Sequence, residues 1–311
     1  MKKLTAALFL LSGALVFNAP AHAAGSGYTQ TKYPIVLAHG LFGFDDIYGY
    51  SYFYQIPEAL QADGAQVYVT QVSAVNSSTV RGEQLLKQVE DIIAISGAKK
   101  VNLIGHSQAG QDVRYVAAMR PDLVASVTTV AGVHKGSKVA DLLLAVGPSG
   151  TPVNTLEGSV VGGVGQLIDL AAGDPTLPQD GSASLYDLST AGSAAFTQKY
   201  PTGVPTSACG NGAPINSHGA PLFSWGGAGV VTTGVDVSDE VLALTALAFG
   251  LEGNDGLVAQ CSSHFGTVIR DNYFQNHLDE VNQVFGVVSP LEASPQSLFR
   301  QQANRLKALG L

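Results

Sequence analysis

The sequence predicts an α/β fold, a mostly parallel sheet with helices on both faces. Two observations carry this. Apolar strand-like runs alternate with helix-periodic segments at the spacing of right-handed β-α-β crossovers. The runs also lack polar alternation, as strands covered on both faces do. Ile35-Val36-Leu37-Ala38-His39 ends at Gly40 and reads as the first buried strand. Gln66 to Thr70 reads as the second. Leu85, Leu86, Val89, Ile92 and Ile93 recur at helical spacing, and Gly97 stops that helix. Val101 to Ile104 is the third strand. Residues 108–119 follow as a helix closed off by Pro121, and Val124 to Val130 is the next strand.

The ends of the chain set its destination. Lys2 and Lys3 form a basic start, Leu4 to Phe17 an apolar run, and Ala21-His22-Ala23 a cleavage signal. Residues 1–23 therefore read as a signal peptide. The apolar run is shorter than the ~20 residues a membrane span needs. The expected mature chain, 24–311, is a single domain, exported and soluble. Removing Lys2 and Lys3 from 16 basic residues leaves 14 against 24 acidic ones, a net charge of −10. That argues against nucleic acid and anionic membranes as electrostatic partners. Only 13% of residues are charged, so many apolar positions must be buried or face an apolar partner. Cys209 and Cys261 are the only cysteines. In an exported chain they read as a disulfide, with two free buried thiols as the alternative. Closing that loop is worth roughly 4 kcal/mol in the chain-entropy model.

The middle of the chain differs in character. From about 137 to 200 it is rich in Gly, Ser and Ala. Residues 139–146 read as helical, and a Gly/Pro break follows. Residues 155–173 form a glycine-weakened helix with Val160, Val161, Val164, Leu167 and Ile168 on one side. It is either an ordinary packed helix or a mobile lid, within an insertion near 137–173. A weak helix with an apolar face detaches cheaply, which suits a lid.

The chemistry centres on Gly105-His106-Ser107-Gln108-Ala109, a G-x-S-x-G-like pattern with alanine in the last place. A serine hydroxyl needs a base to take its proton and donors to hold the oxyanion. Ser107 lies between a predicted strand and a predicted helix, the context of a nucleophile elbow. The helix N-terminus behind it favours negative charge. The amide of Gln108 is one natural oxyanion donor, and Leu41, after His39-Gly40, supplies the second. The order Ser, acid, His leaves His264 and His277 as bases. His264 lies nine residues after Asp255, too few for a crossover, and beside Cys261, so it reads as structural. His277 is the expected base and Asp255 its acid, with Asp236 and Asp239 as competitors. Asp279 stands two residues after His277. With Asp236 it offers carboxylates of the kind calcium takes, or both are solvated surface acids.

These motifs resemble the secreted true lipases of Pseudomonas and Burkholderia, the foldase-dependent bacterial family I lipases. The likeness runs through Tyr33 to Gly40, Arg81-Gly82-Glu83-Gln84-Leu85, Val101 to Ser107 and His134-Lys135-Gly136-Ser137. It continues in Asn254-Asp255-Gly256-Leu257-Val258 and Asn276 to Gln283. The resemblance implies an α/β-hydrolase fold and hydrolysis of long-chain triacylglycerols by Ser107, His277 and Asp255. It implies an oxyanion hole of the Leu41 and Gln108 amides, and a lid near 150–172. It implies one structural calcium on Asp236 and Asp279 with the carbonyls of Gln283 and Val287, and it supports the Cys209–Cys261 bridge. It also implies folding by a membrane-anchored foldase chaperone in the periplasm, export from there and a monomeric enzyme. His106 and His134 match family positions outside the triad and read as structural. A carboxylesterase or polyester depolymerase is the alternative within the fold. A non-catalytic binding protein with a decayed elbow is the alternative outside it.

Overall fold

The computed structural model describes residues 27–145, 165–166 and 168–311. The expected signal peptide, and most of the segment expected to form a lid, lie outside the described residues. Among the described residues there are eight strands: β1 (Ile35–Ala38), β2 (Asp46–Ile47), β3 (Tyr50–Ser51), β4 (Val67–Thr70), β5 (Val101–His106), β6 (Val124–Val130), β7 (Leu222–Gly227) and β8 (Thr267–Tyr273). Six form one sheet in the order β4-β1-β5-β6-β7-β8, with every pairing parallel. β2 and β3 form a separate antiparallel hairpin.

Successive residues of a strand point to opposite faces, and here each face meets its own apolar layer. Ile35 and Leu37 of β1 face one layer with Ile56 and Leu60 of α1 (Ile56–Gln61) and Phe299 of the C-terminal helix Pro295–Ala308. Val36 and Ala38 face the other, with Leu85 and Val89 of α2 (Ser78–Ser96) and Val113 and Val116 of α3 (Ala109–Met119). Fully burying one such Leu or Ile is worth about 1.5–3 kcal/mol. Ser77 caps α2 by accepting from the Val80 amide, and Gly97 ends it at φ 68°, as its place in the pattern predicts. Arg120 ends α3, and Pro121 opens a short 3₁₀ turn. α4 covers Lys138–Ala145. Residues 165–166 and 168–171 are helical, at the end of the expected 155–173 helix.

β7 and the helices Ile56–Gln61, Gly181–Leu188, Thr190–Lys199, Val237–Ala246 and Pro295–Ala308 have no counterpart in the sequence reading. β8 runs between the loops that carry Asp255 and His277. The disulfide joins Cys209, in the loop before β7, to Cys261, in the turn before β8. Among the described residues no helix is long and apolar enough to cross a membrane.

Candidate active site

Ser107 occupies the sharp turn between β5 and α3. Its φ is 57°, a left-handed value that costs a residue with a side chain of order 1–3 kcal/mol. The turn is held by Ser107 N–H donating to Val130 O at 2.9 Å and by Gly110 N–H donating to Ser107 O at 2.9 Å. Close packing then demands glycine at two places. A Cβ on Gly105 would lie 2.4 Å from the Ala109 carbonyl oxygen, and one on Gly110 2.8 Å from Gly132 Cα. Position 109 is different. Ala109 is fully buried in the apolar layer of Val113 and Val116, so its methyl fills core space. The elbow is therefore built with alanine where the motif has glycine.

His277 Nε2 lies 2.9 Å from Ser107 Oγ, and His277 Nδ1 lies 2.8 Å from Asp255 Oδ2. Asp255 Oδ1 accepts the amides of Leu257 and Val258 at 2.9 and 2.7 Å. The His277 amide donates to Asp255 O at 2.9 Å, locking the two loops together. All three side chains are buried. The competing acids are held elsewhere. Asp239 accepts from the amides of Thr232, Thr233 and Gly234 and from Asn276 Nδ2. Asp236 caps the helix Val237–Ala246 through the Ser238 amide at 2.7 Å.

The loop after β1 carries the Leu41 amide. Its carbonyls turn inward to a fully buried arginine: Arg81 Nη2 donates to His39 O at 2.6 Å and to Gly40 O at 3.3 Å. Arg81 Nε pairs with Asp112 at 2.9 Å. Burial, with the Arg81 charge beside it, pushes the His39 imidazole down to about 3, so it stays neutral. Its Nε2 then accepts the Val72 amide at 3.2 Å. The Gln108 side chain points away from Ser107, donating to Asn76 O at 2.8 Å and accepting from Ser184. Among the described residues the amides of Leu41 and Gln108 donate to no other group. Above Ser107 and His277 opens a pocket of about 360 Å³, walled by Leu41, Phe44, Val139, Leu143, Leu185 and Val258 among others.

The α/β-hydrolase family model matches residues 33–212. A triacylglycerol lipase of Vibrio cholerae is 56% identical over 306 residues, covering 98% of this chain and 97% of its own. Those of Pseudomonas fragi and Burkholderia plantarii are each 39% identical, over 91% and 96% of this chain and 98% and 93% of theirs. The chain belongs to the bacterial triacylglycerol lipases. The Staphylococcus hyicus lipase structure, at 17% identity and a TM-score of 0.60, covers 90% of this chain and 97% of its own and shares its fold.

The remaining residues singled out in the sequence can be placed in this lipase-family fold. Asp236 Oδ2 and Asp279 Oδ1 are both buried without a hydrogen-bond partner among the described residues. Burial raises the Asp279 carboxyl to about 6, with repulsion from Asp236 and Asp239 adding to it. Orphaned buried carboxylate oxygens suit a hard dication. The Gln283 side chain is committed to the hairpin, donating to Ser51 O and accepting from the Tyr50 hydroxyl, so only its carbonyl is left to offer a metal. Val287 closes the same turn, in which Val284 and Phe285 take left-handed φ values of 54° and 57°. His264 is buried between Asp271, 2.9 Å away, and the backbone of Gly210, beside the disulfide. His134 lies between Arg114 and Thr129 and stacks on Phe265. Sequence reasoning missed His39, Arg81 and Asn276 as supports of the site. Arg81 carried one signal, being a lone cation on the apolar side of a predicted helix.

Proposed function

We propose that the protein hydrolyses long-chain triacylglycerols at a lipid–water interface. The observation that carries this is the Ser107–His277–Asp255 chain of hydrogen bonds at the floor of an apolar pocket. Ser107 Oγ attacks the ester carbonyl as His277 Nε2 takes its proton. The amides of Leu41 and Gln108 receive the oxyanion. His277 then protonates the departing glycerol oxygen, and water clears the acyl-enzyme by the same route. Asp255 holds the imidazole with Nδ1–H directed at itself and steadies its positive charge.

Substrate form is read from the surface. Val237, Val241, Leu244, Leu247 and Leu251 are exposed. Val139 and Leu143 belong both to the pocket over Ser107 and to the groove at Leu244 and Leu247, so the apolar surface is continuous. Such a face suits an aggregated neutral lipid. Asp236, Asp279 and the carbonyls of Gln283 and Val287 would hold one calcium, which when bound supplies the charge that neutralises the two carboxylates and fixes the loop behind His277. Residues 1–23 would direct export, and 24–311 would form one domain with its lid insertion near 137–173. A foldase would assist folding in the periplasm, giving a secreted monomer.

The test compares emulsified triolein with soluble p-nitrophenyl butyrate, after co-expression with the matched foldase. Strong triolein hydrolysis that vanishes in Ser107→Ala supports the reading. Turnover of the butyrate alone makes the protein a carboxylesterase.

A further inference from the structure

Behind the triad lies a buried polar chain that the mechanism above does not use. It rests on the Ser-His-Asp reading and concerns how that site is held. His106, the residue before Ser107, is fully buried, and its Nδ1 lies 2.7 Å from the Tyr52 hydroxyl. Tyr52 is buried too and forms part of the pocket wall. Its hydroxyl also reaches the oxyanion loop. A Cβ on Gly40 would lie 3.0 Å from Tyr52 Oη and 2.7 Å from Ser107 Cβ, so the loop, the phenol oxygen and the nucleophile are packed closely together. On its other side the His106 ring lies against His277, with centroids 4.6 Å apart and planes 41° apart. Its Nε2 faces Glu280 Oε2 at 3.5 Å, while Glu280 Oε1 accepts the Gly227 amide. Burial keeps His106 neutral, and its Nδ1 pairs with the Tyr52 hydroxyl.

We infer that Tyr52 and His106 are positioning residues: the hydroxyl ties the oxyanion loop to the nucleophile turn, and the His106 ring is the shelf on which His277 lies. Arg81 holds that loop by its carbonyls, and the Tyr52 hydroxyl packs against it at Gly40. Oxyanion donors act only when they stand at the place where charge develops. A hydroxyl bonded to His106 and packed against Gly40 fixes the Leu41 amide relative to Ser107 directly, without passing through the substrate.

The test is Tyr52→Phe, which keeps the ring and removes the link. Soluble ester should show kcat down roughly tenfold at a KM within twofold, as expected when a donor is slightly misplaced. Affinity for an alkyl boronic acid, which mimics the tetrahedral intermediate, should fall by the same factor. A variant with unchanged kcat and boronate affinity, or with only KM raised, overturns the tie. His106→Asn keeps an acceptor for the hydroxyl and removes the shelf. It should slow phosphonylation of Ser107 by a p-nitrophenyl phosphonate several-fold, and an unchanged rate overturns the shelf. The same reagent on the parent protein separates the two readings. If it fails to label Ser107 at one equivalent, the triad reading itself is at fault.

Discussion

At Ser107 the backbone is strained and every neighbour is chosen for size. Ala109 is the instructive exception. Replacing it with glycine would restore the usual motif, yet it would delete a buried methyl and loosen the first turn of α3. Together these cost about 1–2 kcal/mol. Ala109→Gly should therefore lower the thermal midpoint by roughly 2–5 °C with kcat on soluble ester within about twofold. A gain in stability would show that the methyl is crowded. The acids make a second contrast at this scale. Asp255 bonds to His277, whereas Asp239 holds three loop amides and Asn276. Asp255→Asn should cost about 10⁴ in kcat while leaving the fold intact, because the imidazole loses its orienting charge. Asp239→Asn should act mainly on stability. Comparing kcat with the unfolding midpoint for both variants decides between them, and the reverse pattern would sink the assignment.

Among the elements, those with strong local signals are the ones the sequence reveals. β1 is an unbroken apolar run, β5 and β6 are rich in branched apolar residues, and α2 and α3 each show a helical apolar stripe. β7 does not. Leu222-Phe223-Ser224-Trp225-Gly226-Gly227 follows a loop rich in Pro and Gly, carries a serine in its middle and ends in two glycines. Its strand form is imposed by the parallel edges of β6 and β8. The helix Val237–Ala246 is hidden for another reason. Val237, Val241 and Leu244 face outward and Leu242 is the one large apolar side chain it buries, so there is no core-facing stripe to reveal it. That outward face has a testable role. Leu244→Gln with Leu247→Gln should reduce adsorption to triolein droplets, and activity on them, at least fivefold, because about 1.5–3 kcal/mol of burial per side chain is forgone. kcat/KM on p-nitrophenyl butyrate should hold within twofold. Equal loss on both substrates would place these leucines in the fold rather than at the interface.

For the whole molecule, buried neutral histidines tie stability to pH. Burial, with Arg81 beside it, lowers His39 to about 3, and burial holds His106 and His134 well below the usual histidine range. In the unfolded chain each returns to about 6.5. Between these values the unfolded state binds the protons that the folded state refuses. The stability these groups contribute is thus complete above about pH 6.5 and is lost as pH falls towards 3. Urea midpoints at fixed, saturating calcium should be highest near pH 7–8 and should already have dropped at pH 5. A flat profile from 8 to 5 would mean that the carboxyls of Asp112 and Asp169, which burial raises to about 7 and about 6, offset the histidines.

From the sequence alone came the α/β class, the elbow at Ser107, the strand that feeds it and the order of nucleophile, acid and base. These are local patterns, legible because a strand, a turn and a helix are each written within a few residues. The sequence favoured Asp255 over Asp236 and Asp239, but the contact of its carboxylate with His277 is a tertiary fact, since it depends on how the loops after β7 and β8 converge. So are the anchoring of the Leu41 loop by Arg81, the hidden β7 and the chain through Tyr52 and His106. Tyr52 lies 54 residues from the histidine its hydroxyl meets, and only packing brings such partners within hydrogen-bonding reach.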